Sequence, residues 1–246
     1  AAGNTVSKFL PGATIPAATL TGLNGPWALA FDANGALYVA NRFGGSVSVF
    51  APGQTTPSAG IAGLNQPCAL AFDSLGRLYV ANSAGDNVLR YEPGTIGGPT
   101  ILTGVGGPQA LAFNSVTGDL FVANTNHTVS VFAFNATSPV ITLPGFSNPV
   151  ALAFDAAGTL HVANAASNTV SRFAPGSLTP LAPLTGLNQP QGLAFDAADN
   201  LFVANFGNDT VTRFGTGLMV GATAGAQTLP GFATGISAGP ANEAAQ

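Results

Sequence analysis

Short runs in which large apolar side chains alternate with small or polar ones recur along the chain at a fixed spacing. Ala28 to Phe31 reads ALAF, Leu37 to Ala40 reads LYVA, and Ser46 to Phe50 reads SVSVF; a weaker run lies around Ser58 to Ala62. Runs of this length, rich in Val, Phe and Tyr and bounded by Gly, Pro, Asn and Asp, predict β-strands. No segment carries a sustained helical period. In ALAF the Leu29 and Phe31 side chains point to one face and Ala28 and Ala30 to the other. The tetrads Asp32 to Gly35, Asp73 to Gly76 and Asp155 to Gly158 are predicted hairpin turns. Asp bonds backbone N–H groups ahead of it and Gly takes positive φ.

The four-run set repeats. Residues 22–62, 63–103, 104–144 and 145–185 form four equal repeats, and 186–230 forms a longer fifth. A four-stranded meander repeated with a period of about 41 residues reads as a propeller blade. So small a sheet cannot bury both faces alone, and stacking blade on blade supplies the missing contacts. Residues 1–21 align without a gap on residues 42–62, with Val6, Ser7 and Phe9 matching Val47, Ser48 and Phe50. They hold the third and fourth strands of a blade and lack the first two. Residues 231–246 begin like a repeat with Gly231-Phe232 and then lose the pattern, with Thr234 to Ala238 as one poor strand. The expectation is a single all-β domain over 1–246: a six-bladed propeller of four-stranded antiparallel blades. Its split blade, 1–21 plus 231–246, is either incomplete or completed by the chain ends or a neighbour. Three closures stay open: missing strands carried by a longer protein, poor closure through 231–238, or strands donated by a neighbouring molecule at an open sheet edge.

The pattern G-x-x-x-P-x-A-L-A-F-D-x-x-G-x-L-Y-V-A-N…V-x-x-F resembles the NHL-type β-propeller repeat. The resemblance covers 22–230 and part of the first 21 residues. It implies six blades. Two departures stand out. Many members have Asp after the Val-Ala pair, where this chain has Asn41, Asn82, Asn124, Asn164 and Asn205. The frequent Arg before the third strand is here Ser46, Asn87, Thr128, Thr169 and Thr210. Relatives include protein- and RNA-binding modules, sensor domains and lyase- or lactonase-type enzymes, so fold analogy alone does not choose a function.

Composition narrows the choice. Of 246 residues only 6 are Lys or Arg and 10 Asp or Glu, a charged share of 7% and a net charge of −4. An average soluble protein has roughly 25% charged residues. There is no basic footprint for nucleic acid. No apolar stretch reaches the length of about 18 residues that a membrane span needs. Ala1 to Phe9 lacks the basic and apolar regions of a signal peptide and reads as an end left after cleavage. The Ser/Thr/Asn/Gly-rich polar set and scarce lysine point outside the cell. Three triplets match the glycosylation pattern, at Asn126, Asn135 and Asn208; in so Asn/Thr-rich a chain they carry little weight.

Catalytic chemistry is thinly supplied. The resemblance implies that lactonase-like relatives bind a divalent metal through Glu, Asn and Asp, and that streptogramin-inactivating lyases use His and Glu. Here the glutamates are Glu92, after a third strand, and Glu243, in the tail. His161 stands where Tyr38, Tyr79, Phe121 and Phe202 stand in sister repeats, and reads as an aromatic substitute; His127 reads as a solvated loop residue. Asp32, Asp73, Asp155 and Asp196 occupy the same turn of different blades, where capping is the expected role. Cys68 follows Pro67 with no cationic neighbour in sequence and reads as a small apolar residue. The expectation is no catalytic residue, no metal and no cofactor, with a lyase- or lactonase-like enzyme as the lesser alternative.

Binding residues are sought where the repeats differ. The position after the repeat proline holds Trp27, Cys68, Gln109, Val150 and Gln191, a ring near the mouth of the channel. The loops between second and third strands fall on the same face and hold Arg42-Phe43, Ser83-Ala84, Thr125-Asn126, Ala165-Ala166 and Phe206-Gly207. Trp27, Arg42, Phe43 and Phe206 have the character of interface anchors; with Gln109 and Gln191 they form the candidate face. The competing reading has Trp27 plugging the channel and the loop phenylalanines packing locally. The expected role is non-catalytic recognition or scaffolding outside the cell, with a protein or glycan ligand. The structural alternative is a homo-oligomer, filament or surface-layer subunit built by strand complementation.

Overall fold

The computed structural model describes residues 3–215 and the strand Gln227–Pro230. Strands β1 (Val6–Lys8) and β2 (Ala18–Leu20) pair antiparallel, Val6 opposite Leu20. Among the described residues five four-stranded sheets follow, each a meander in chain order. The first blade holds β3 (Pro26–Phe31), β4 (Leu37–Asn41), β5 (Ser46–Phe50) and β6 (Ala59–Ile61). The second holds β7 (Pro67–Phe72), β8 (Leu78–Asn82), β9 (Asn87–Tyr91) and β10 (Thr100–Leu102). The third holds β11 (Pro108–Phe113), β12 (Leu120–Asn124), β13 (Thr128–Phe132) and β14 (Ile141–Leu143). The fourth holds β15 (Pro149–Phe154), β16 (Leu160–Asn164), β17 (Thr169–Phe173) and β18 (Pro180–Leu184). The fifth holds β19 (Pro190–Phe195), β20 (Leu201–Asn205), β21 (Thr210–Phe214) and β22 (Gln227–Pro230).

The expected six blades are therefore corrected to five, with β1 and β2 as a separate two-stranded sheet. The reason is the phase of the repeat. Residues 1–21 carry no ALAF or LYVAN run, so they supply a pair of outer strands and no inner ones. Residues 231–246, including the strand expected at Thr234 to Ala238, lie outside the described residues.

Turn chemistry fixes the first hairpin of each blade. The Asp32 carboxylate accepts the N–H groups of Asn34 and Ala36, and Asp73 accepts those of Leu75 and Arg77. In the fifth blade, where the repeat glycine is replaced, Asp199 itself takes a φ of 59°. Asp73 also holds the Arg77 guanidinium through a buried 2.6 Å ion pair, and Asp199 accepts the Ala156 N–H of the fourth blade.

Packing between blades sets large side chains against small ones. Ala69, Ala71, Ala81 and Val88 of the second blade pack with Leu111, Leu120 and Phe132 of the third. Burying one Leu or Phe in this way contributes about 1.5–3 kcal/mol. A ladder of rings runs through the same junctions. Tyr38 meets Phe72 edge-on at 5.0 Å, Tyr79 meets Phe113 at 4.9 Å, Phe121 meets Phe154 at 5.1 Å and His161 meets Phe195 at 5.0 Å. Edge-to-face contact suits the ring quadrupoles, so each junction gains more than its buried area alone gives.

Candidate functional site

Every innermost strand carries a β-bulge immediately after its proline. In the first blade Pro26 faces Asn41 while Ala28 faces Ala40, so Trp27 has no partner across the ladder. The same shift frees Cys68, Gln109, Val150 and Gln191. A bulged residue is released from pairing and its side chain can be re-aimed. The ring of variable residues is thus built by one repeated backbone defect.

The loops above that ring are fixed by the asparagines that close each second strand. Asn41, Asn82, Asn124, Asn164 and Asn205 are all buried. Through Oδ1, Asn41, Asn82, Asn164 and Asn205 accept the backbone N–H groups of Asn24, Asn65, Ser147 and Asn188, each 17 residues earlier. Through Nδ2, Asn41 donates to Ser46 and Ser48, Asn164 to Thr169 and Ser171, and Asn205 to Thr210 and Thr212. Asn82 donates to Asn87, and Asn124 to Thr128 and Ser130. A residue that must both accept and donate at this corner is an amide; an aspartate has no donor.

A second repeated contact ties neighbouring units on this face. Gly25 N–H donates to Asn4 Oδ1 at 2.9 Å, Gly107 N–H to Asp86 Oδ1 at 2.7 Å, Asn148 N–H to His127 Nδ1 at 3.2 Å and Gln189 N–H to Asn168 Oδ1 at 2.7 Å. Each pair is separated by 21 residues. His127 is therefore a clasp between the third and fourth blades as well as an exposed loop residue, and it takes a φ of 67° to reach.

Within this frame the six candidate residues differ sharply. Trp27 is 49% exposed, with the Arg42 guanidinium stacked 4.4 Å from its ring centroid. Arg42 N–H also donates to the Gly25 carbonyl. Phe43 is exposed and lies across Gly25, so closely that a Cβ there would clash with the ring; Gly25 also needs its φ of +66°. Trp27, Arg42 and Phe43 thus form one cluster on the first blade. Gln109 is half-buried and donates to Ser83 Oγ at 2.8 Å, bridging the third blade to the second. Gln191 and Phe206 are exposed on the fifth blade.

The remaining ring members and histidines have visible structural partners. Cys68 is buried, its thiol donating to the Pro108 carbonyl at 3.0 Å. Burial pushes that thiol up to about 11, although Arg42 lies near enough to pull the other way, a cation that the sequence neighbours of Cys68 did not reveal. His161 is buried, with Nε2 3.3 Å from Asp155. Burial works to raise the Asp155 pKa, but hydrogen bonds from His161 and Thr159 outweigh it and hold the carboxyl below its ordinary value. Tyr79 makes the same 3.3 Å contact with Asp73 in the second blade, so the His–Asp pair is the fourth blade's form of a repeated strut. Among the described residues no group of three or more His, Cys, Asp and Glu is placed to hold a metal ion, and no helix is long and apolar enough to cross a membrane.

Successive antiparallel blades stacked through their inner strands define a β-propeller. Solved propellers are similar to this chain. Virginiamycin B lyase from Staphylococcus aureus superposes with a TM-score of 0.70 at 14% identity, covering 86% of this chain and 72% of its own. A streptogramin B lyase gives a TM-score of 0.69 at 15% identity, with 85% and 70% coverage. The nidogen/laminin complex contains a match with a TM-score of 0.67 at 21% identity, covering 77% of this chain and 75% of that one. No family model and no curated protein matches the sequence. At these identities the likeness establishes the fold.

Proposed function

We propose that this chain is a non-catalytic, NHL-like propeller that works outside the cell as a recognition or scaffold module. Its contact surface is the face made by the bulges and the loops above them. The observation that carries the reading is the Trp27–Arg42–Phe43 cluster, an aromatic and cationic patch held half in solvent on a fixed frame. Trp and Arg on a rigid base are what interface hot spots are made of. The low charge of the whole chain, 7%, leaves apolar and hydrogen-bonding contacts as the main currency of recognition. That one structural neighbour was solved as a nidogen/laminin complex fits a propeller used for protein contact.

The test is to screen immobilised extracellular proteins and glycans with the intact chain and with a Trp27→Ala, Phe43→Ala, Phe206→Ala triple variant. The triple variant is expected to keep the fold and lose at least tenfold in affinity for whatever is bound. Binding that survives all three substitutions overturns the choice of face. The lyase reading is tested by mass spectrometry of virginiamycin B incubated with the protein; its conversion overturns the non-catalytic assignment.

A further inference from the structure

At the end of the blades opposite the bulges, an arginine fills the slot between the second and third blades. Arg77 stands immediately before β8, in the turn from β7, and is buried. Its Nε donates to Asp73 Oδ2 at 2.6 Å, and Nη1 donates to Asn135 Oδ1 in the loop after β13. The guanidinium carbon lies 5.1 Å from the centroid of the Phe134 ring in the same loop. One blade further on, the slot has different contents. Asp119 takes the position of Arg77, Asn114 that of Asp73, Phe121 that of Tyr79 and Gly176 that of Asn135. Here, between the third and fourth blades, lies a cavity of about 160 Å³. The buried Leu143, Leu160 and Phe173 line its depth, and the exposed Thr117 and half-buried Asp119 and Ser177 stand at its rim. Asp119 Oδ2 accepts the Thr117 hydroxyl at 2.8 Å. No lining residue is Lys, Arg or His.

We propose that this cavity binds a small free organic cation, a guanidinium carried on one apolar ring. The filled junction specifies the chemistry. There a guanidinium is held between a carboxylate on one blade and the loop of the next. In the third blade a carboxylate stands where that cation stood, and the cavity walls supply no positive charge to answer it. A guanidinium at the rim donates to Asp119 in the two-pronged geometry that suits a carboxylate. Its ring enters the apolar depth among Leu143, Leu160 and Phe173. The size agrees, since an apolar cavity of about 150 Å³ holds one benzene ring. A bare inorganic cation would leave that depth unfilled, and a neutral ring would leave the carboxylate unanswered. The site lies at the other end of the blades from the Trp27–Arg42–Phe43 cluster and does not depend on it.

The probe is phenylguanidine, a cation at neutral pH, titrated into the full chain while backbone amide resonances are followed. Saturable one-to-one binding is expected, with the shifts centred on Gly118, Asp119, Gly176 and Ser177. Phenylurea has the same shape without the charge and is expected to bind about tenfold more weakly or worse. That comparison uses the unaltered protein and places no demand on the folding of a variant. Asp119→Asn is expected to weaken phenylguanidine by a similar factor and to leave phenylurea unchanged. Asp119→Arg, which restores the side chain of the second blade, is expected to fill the cavity and abolish binding of both. Absence of saturable binding, shifts centred elsewhere, or phenylurea binding as tightly as phenylguanidine overturns the proposal. Tighter binding of the tripeptide acetyl-Val-Arg-Val-amide overturns it too, by making a polypeptide side chain the occupant.

Discussion

The junction between the second and third blades and the open side of the first blade use the same repeat residues with opposite outcomes. At the junction Tyr79 stands edge-on to Phe113, the Cys68 thiol reaches Pro108, Gln109 reaches Ser83, and Gly107 N–H reaches Asp86. On the open side Phe31 and Phe9 face solvent, and of the clasps only Asn4 to Gly25 is made. The side chains are alike; the neighbour differs. A phenylalanine in this repeat is a core residue only if the preceding unit brings its inner strands.

Phe132→Ala and Phe9→Ala sharpen that contrast most. The first is expected to cost about 3–5 kcal/mol through lost burial and a residual cavity. The second is expected to change stability by less than about 0.5 kcal/mol, as for an ordinary surface substitution. Chemical denaturation of both variants measures the difference, and equal losses would show that Phe9 is buried after all.

Next in size is the asparagine corner. Asn164→Asp removes the donor to Ser171 and sets a carboxylate beside the Val162 carbonyl, with an expected loss of about 1–3 kcal/mol at neutral pH. Burial against the Val162 carbonyl outweighs the one N–H donated by Ser147 and raises the folded pKa of the new carboxyl above its unfolded value. The deficit is therefore present at neutral pH and shrinks as the pH falls through that raised value. A denaturation series across acid pH reads the trend; a deficit that grows on acidification refutes this account of the corner.

The clasp between the third and fourth blades comes third. His127→Leu is expected to cost about 1 kcal/mol, because the Asn148 N–H loses its acceptor and a bulkier apolar residue must hold positive φ. His127→Asn restores both features, as Asn168 does one blade later, and should match or exceed the parent in thermal stability.

The smallest effect concerns Asp155. Its pKa is lowered in the folded protein, so its carboxylate contributes stability above the unfolded pKa that is lost as the pH falls through the folded value. The stability difference between parent and Asp155→Asn should accordingly be greatest near neutrality and fade in acid. A difference independent of pH would mean that Asp155 acts through its shape alone.

The paired departures from the NHL-type pattern acquire a common meaning in the corner geometry. Where the resemblance implies Asp and Arg, this chain places an amide against Ser, Thr or Asn at every blade, as in Asn41 with Ser46 and Asn205 with Thr210. The neutral contact recurs in all five described blades and uses no charged side chain.

The sequence by itself determined the strands, the turns and the blade period, because these depend on alternation, on Asp and Gly at fixed offsets, and on contacts inside one repeat. It also marked Trp27, Arg42, Phe43, Gln109, Gln191 and Phe206 as positions released from the fold. Tertiary structure alone decided which of them share a cluster: Arg42 rests on Trp27, whereas Gln109 is drawn into a bridge with Ser83. The bulge after each proline was illegible, since one extra backbone residue leaves the side-chain pattern intact. So was the clasp that includes His127, because its partner lies in the next blade and is addressed through the backbone N–H. The blade count was decided by structure for the same reason: a repeat half contributes a blade only when its inner strands are there to pair, and pairing is a contact that no single repeat contains.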